Sequence, residues 1–184
     1  MTVLPTFTTG QVLTSSDANS MANSGLVFVK SQTIGSAVSS VTVSSAFSAD
    51  FDNYKIIVSG GVGSDDPQNL LMTLGSTTTG YYWARVGRSF ADTDGGGASG
   101  GSTSSWRIGG TSPQILNMSA DIFGPFLADQ TAFASSNLYA RTGGSIFFVG
   151  GYLNDSTSYT GFTLTVGAGT ITGGTITVYG YRKA

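Results

Sequence analysis

Few side chains in this chain are equipped for chemistry, and their spacing is informative. Asp92-Thr93-Asp94-Gly95 sets carboxylates on alternate residues, as a calcium loop begins, because alternate Asp side chains converge on one hard cation. No acidic residue continues the alternation and no Glu closes it, so an Asp-rich turn is the plainer reading. Asp65-Asp66 before Pro67 reads the same way. Serines abound, but a Ser-His-Asp triad needs histidine and the chain has none. A Ser-Lys arrangement through Lys30 or Lys55 is formally open, with ordinary strand or surface lysines as the alternative. An Asp pair acting on a glycoside is also formally open, with no spacing rule in the sequence to select one. The glycine-rich stretch Ala91–Ser104 lacks the G-K-[ST] ending of a phosphate cradle, and no helical pattern follows it. No catalytic residue, metal site or cofactor is expected.

Absences in the composition point the same way. There is no His, Cys or Glu, against 27 glycines and about fifty serines and threonines in 184 residues. General acid–base work at neutral pH usually falls to His or to a carboxylate or Lys with a shifted pKa. Zinc sites need Cys or His, and thiol nucleophiles need Cys. Charged residues make up 10% of the chain, against roughly a quarter in an ordinary soluble domain. So neutral a surface has weak protection against association, and burial of much of it in a homo-oligomer or larger particle is expected. A net charge of −2, with Arg182-Lys183 as the one basic cluster, leaves no footprint for nucleic acid. No run reaches the ~18 apolar residues of a membrane span. Residues 1–10 have neither the basic nor the apolar region of a signal peptide, so synthesis in a cytoplasm is expected.

The aromatic residues are the remaining candidates. Tyr81-Tyr82-Trp83, Trp106 and Tyr152 are of the kind that, on a strand edge or loop, form platforms for sugars or protein partners. Core packing is the alternative for Tyr81-Tyr82-Trp83 and Trp106, since alternate residues of a strand face inward, and a hairpin flank is the alternative for Tyr152. Tyr82, Trp83, Trp106 and Tyr152 are taken as the candidate receptor or partner surface. Tyr159, beside Asn154-Asp155-Ser156, is either part of a loop site or a hairpin flank.

The elements that must position these residues divide the chain in two. Residues 1–25 read as an extended, sparsely apolar arm followed by a short helix capped by Thr14, with Asp17 in its first turn. Such a helix is too short to stand alone. The apolar residues Phe7, Val12, Leu13 and Met21 are expected to bury against a partner surface, as an attachment or oligomer interface. Residues 26–184 read as about ten β-branched and aromatic segments of period two, separated by Gly, Ser, Asn and Asp turns. They include Leu26–Val29, Phe51–Val58, Leu70–Leu74, Tyr81–Val86, Ile115–Ile122, Ser145–Val149 and Thr175–Tyr181. The expectation is an all-β antiparallel sandwich or jelly roll. Ala91–Ser104 is low in complexity and is expected to be a long exposed loop.

Three segments resemble bacteriophage virion appendage proteins of the tail-fibre, spike or receptor-binding type. Phe7-Thr-Thr-Gly-Gln-Val-Leu-Thr-Ser-Ser-Asp-Ala-Asn19 is similar to their N-terminal attachment segment. Phe51-Asp-Asn-Tyr-Lys-Ile-Ile-Val58 resembles an early strand of their sandwich domains, and Gly173-Gly-Thr-Ile-Thr-Val-Tyr-Gly-Tyr-Arg182 their final strand. The resemblance implies a virion component, often trimeric, that docks by its N-terminal segment and contacts other virion proteins and a host-surface glycan or protein. It implies no catalytic residues. No heptad or shaft repeat is present, so the chain is not an extended fibre in itself. A capsid head decoration, cement or head-fibre protein is the alternative within this class, and a carbohydrate-binding module outside any virus is the alternative beyond it.

Overall fold

A computed structural model of the chain describes residues 8–12, 14–15, 25–65, 68–91, 96–139 and 144–183. Every element among the described residues is a strand. The first seven are β1 (Leu26–Thr33), β2 (Ser40–Val43), β3 (Asn53–Gly63), β4 (Gln68–Leu74), β5 (Tyr81–Ser89), β6 (Ala98–Thr103) and β7 (Trp106–Ser112). The chain continues with β8 (Ile115–Phe123), β9 (Thr131–Tyr139), β10 (Ser145–Leu153), β11 (Phe162–Val166), β12 (Ile171–Thr172) and β13 (Thr175–Tyr181). Thr14 and Ser15 are described, but the rest of the expected short helix lies outside the described residues.

All pairings are antiparallel, and they form two layers. The larger runs β1-β13-β3-β8-β9-β10-β5-β6, the smaller β2-β11-β4-β7. One strand joins them. The first residues of β8 pair with β7 (Thr111 opposite Leu116), and its later residues pair with β9 (Ser119 opposite Ser136). β7 then lies across β9 and β10, closing an all-β sandwich. The short β12 pairs with the far end of β3, beyond a bulge between Val58 and Gly61.

Alternation along the strands selects the core. Tyr54, Ile56 and Val58 of β3, Met118, Ala120 and Ile122 of β8, and Ile176 and Val178 of β13 are buried from one side. Leu70, Met72 and Leu74 of β4 and Phe162, Leu164 and Val166 of β11 meet them from the other. Each such aliphatic side chain contributes about 1.5–3 kcal/mol by leaving water. Aromatic residues form two clusters in this core. Phe47 sits 4.8 Å from Tyr54 and 5.7 Å from Phe162, while Trp106 sits 5.3 Å from Tyr81 and 4.7 Å from Phe133. The phenols find local partners: the Tyr54 hydroxyl donates to Ser48 O at 2.9 Å and accepts from Ser48 N at 2.8 Å.

One expectation is corrected here. Ala91–Ser104 is not loop throughout, because Ala98–Thr103 forms the edge strand β6. Its pairing with β5 rests on backbone groups, which any residue supplies. Trp83 also needs its neighbour bare: a Cβ on Gly100 would lie 2.7 Å from the Trp83 Nε1. The Thr103 hydroxyl closes the strand by donating to the backbone oxygens of Tyr81 (2.9 Å) and Ser105 (2.8 Å) as alternatives.

Candidate functional site

Three of the four aromatic candidates, Tyr82, Trp83 and Tyr152, line one shallow pocket together with Gly100, and the fourth, Trp106, does not. In β5, Tyr81 is buried, Trp83 faces the same inner side and packs on the core, and Tyr82 faces outward. Tyr82 lies directly opposite Tyr152 of β10, and their rings stack at 4.9 Å with 3° between the planes. Trp106 is fully buried, so its inclusion in a partner surface is corrected: it is a core residue. Its indole N–H donates to the backbone oxygen of Tyr152 at 3.1 Å, so the core tryptophan braces the strand that displays Tyr152. Of the expected arm contacts, Phe7, Leu13 and Met21 lie outside the described residues, and Val12 is 80% exposed.

Tyr159 is buried and belongs to a loop clamp. Its hydroxyl donates to Asp155 Oδ2 at 2.6 Å and lies 2.7 Å from the Thr77 hydroxyl. The bond from Tyr159 first, and then that from the Thr157 hydroxyl to Asp155 Oδ1 at 2.8 Å, hold the Asp155 carboxyl below its usual pKa. Burial, and then the bond to Asp155, push the Tyr159 phenol up. The clamp ties the segment after β10 to the turn after β4.

The lysines considered for Ser-Lys chemistry are engaged elsewhere. Lys30 Nζ donates to the backbone oxygen of Ser44 at 2.6 Å, and Lys55 Nζ pairs with Asp121 Oδ1 at 3.1 Å. Gly97-Ala98-Ser99-Gly100-Gly101 has the letters of a G-x-S-x-G nucleophile turn, but it lies in and just before edge strand β6 and the chain has no histidine to activate it. Among the described residues no three acidic, His or Cys side chains gather to hold a metal ion. Asp66, Asp92 and Asp94 lie outside the described residues. No described helix is long and apolar enough to cross a membrane.

The outward face of the larger layer is where the exposed apolar residues gather. The registers of β5, β10 and β9 put its side chains in rows across the strands. Tyr82, Tyr152 and Ala132 form one row, and Ala84, Gly150 and Ala134 the next. Then come Val86, Phe148 and Ser136, followed by Arg88, Ile146 and Leu138. Val86 is 65% exposed and Phe148 55%. The row of small residues is the floor of a groove of about 350 Å³, flanked by Val86 and Phe148. Farther across the layer, Lys55 and Asp121 face each other, and the Tyr181 hydroxyl also donates to Asp121.

Sequence reasoning on aromatic clusters reached the Tyr82–Tyr152 row of this face and missed Val86, Phe148 and Ile146 beside it. A signal for the last two exists in Ile146-Phe147-Phe148-Val149, where both parities of a strand are apolar and both faces therefore have something to cover.

The two ends of the larger layer differ. Leu26, Tyr181, Phe123, Leu153 and Tyr81 end at one side; Thr33, Thr175, Tyr139, Ser145 and Ser89 at the other. The N-terminal arm joins β1 at the first end, and the glycine-rich connection joins β5 to β6 from the second. Ser89, where the glycine-rich connection leaves β5, stands seven residues, about 23 Å of strand, from Tyr82, but β6 runs back along β5 and brings Gly100 and Gly101 beside Trp83 and Tyr82. No family model matches the chain, and neither a curated protein nor a solved structure matches it.

Proposed function

We propose that the chain is a structural subunit of a bacteriophage virion, a tail-fibre or spike-type appendage without enzymatic activity. It docks on the particle by residues 1–25 and displays the sandwich, as a homo-oligomer, for host attachment. The observation that carries this reading is the opposite placement of two features. β1, which follows the arm in the chain, begins at Leu26 beside Tyr181, and the glycine-rich connection leaves β5 at Ser89, the far end of the same layer. A subunit anchored at one end and presenting connections at the other has that arrangement. The two internal segments that resemble virion appendages support the same reading. They are more than a hundred residues apart in sequence, yet fall on the adjacent strands β3 and β13, with Lys55 opposite Tyr179.

The test is immunogold electron microscopy of virions made with this chain, using an antibody against residues 26–184. Gold at the tail supports the appendage. Gold over the head replaces it with the decoration or cement alternative, and unlabelled particles overturn both. In the last case, binding of the purified chain to a glycan array would favour the carbohydrate-binding module.

A further inference from the structure

We infer that the outward face of the larger layer is a self-association surface, on which a second copy of this chain packs about a twofold axis. The groove floored by Ala84, Gly150 and Ala134 lies beside the ridge of Val86 and Phe148, two residues or about 6.6 Å along the strands. A twofold axis running between the two rows sets the ridge of each copy over the groove of the other. An isologous contact requires this, since one patch must supply both the projection and its receptor. Phe148 then meets Gly150 of the partner subunit, and the Tyr82–Tyr152 pair meets the row of Arg88 and Ile146, a cation facing aromatic rings.

Gly150 supplies an independent reason. It lies mid-strand, where glycine weakens a sheet, and its own fold does not demand it: an added Cβ would find its nearest atom, Phe133 O, at 3.6 Å. Gly151 beside it is different, because a Cβ there would lie 2.0 Å from Tyr82 O. A mid-strand glycine with room inside its own chain fits a site where another surface comes close. Area and charge agree. Eight strands about 4.8 Å apart, each presenting about 20 Å, make a face of roughly 770 Å², near the about 800 Å² that each partner contributes to a stable complex. The Lys55–Asp121 pair neutralises its own charges on this face. Twofold pairing takes the place of the threefold order implied by resemblance, and it does not depend on the virion reading.

The test is the mass of the full chain in solution, by sedimentation over a range of concentrations, beside Phe148→Asp and Gly150→Val. Phe148 is already half exposed and Gly150 has room for a side chain, so both variants should keep the native circular dichroism. The expected result is twice the 18.8 kDa chain mass, with the dissociation constant raised on the order of 100-fold in either folded variant, the scale of a damaged interface centre. Because the chain has no cysteine, mixing Phe148→Cys with Gly150→Cys chains should give a mixed disulfide dimer. A monomeric parent, a trimer, or a dimer indifferent to both variants overturns the proposal. A negative result here leaves the gold-labelling outcome untouched, so the two readings stand or fall separately.

Discussion

The carboxamide of Asn117 substitutes for a missing strand opposite Leu138. Leu138 N donates to Asn117 Oδ1 at 3.0 Å, and Asn117 Nδ2 donates to Leu138 O at 3.1 Å. The geometry follows from the course of β8, whose first residues pair with β7 while only Ser119 onward pair with β9. β9 would otherwise leave a donor and an acceptor without ladder partners where the layers part. A primary amide is the side chain that carries both groups in backbone-like spacing.

Asn117→Leu should therefore destabilise the fold by about 1–3 kcal/mol, the cost of leaving partly buried backbone groups unmade. Asn117→Asp keeps the acceptor and loses the donor, so it should also destabilise. Urea midpoints of the two variants check this. A midpoint unchanged in Asn117→Leu would mean that water replaces the side chain without cost.

Gly150 and Gly151 should respond unequally to the same added methyl group. Gly151→Ala forces a Cβ to within 2.0 Å of Tyr82 O and 2.8 Å of the Phe133 ring, and should cost about 1–3 kcal/mol through overpacking. Gly150→Ala should stay within about 1 kcal/mol of its parent. Both are best measured by denaturation in a Phe148→Asp background, where association cannot contribute.

Trp106→Ala should cost about 3–5 kcal/mol, the range for removing a large aromatic from a packed core. Its signature is thermal melting, not loss of a partner contact, because the ring is fully buried. Trp106→Phe keeps part of the volume but deprives Tyr152 O of its donor, so a smaller loss is expected. Retained stability in Trp106→Ala would contradict the core assignment.

Stability should fall on the alkaline side between about pH 10 and 12. Burial pushes the Tyr81 phenol up to about 12, and the hydrogen bond to Asp121 raises that of Tyr181 to about 12, both from an ordinary 10.0. A raised phenol binds its proton more tightly in the folded chain. Its contribution is present below the unfolded value and lost as pH rises through the folded one. Asp155 has the opposite sign: its contribution is present above the ordinary 3.8 and lost as pH falls through its lowered folded value. Denaturation midpoints across pH check both limbs, and Tyr181→Phe should flatten the alkaline one.

Much of the strand pattern was legible because period-two alternation is local. Tyr54-Lys55-Ile56-Ile57-Val58 and Thr175-Ile176-Thr177-Val178 announce strands, and both are strands. β6 was not legible, since Ala98-Ser99-Gly100-Gly101 has no apolar period and pairs through its backbone alone. Nor was the difference between Trp83 and Trp106. Both are strand tryptophans, and only the packing of β7 across β9 and β10 encloses the second.

The residues by themselves determined the class of the fold and which side-chain chemistry it lacks. A chain without His, Cys or Glu has no ordinary route to a triad or a thiolate or zinc site, and alternating β-branched and aromatic residues commit it to sheets. Tertiary structure alone decided which face of each strand is covered, and by what. Alternation states that a strand has two unlike faces; which neighbours those faces meet depends on pairings such as β3 with β13, far apart in sequence. That is why Phe148 and Phe147, adjacent and identical, end on opposite sides of one sheet, Phe147 buried and Phe148 turned to the outside.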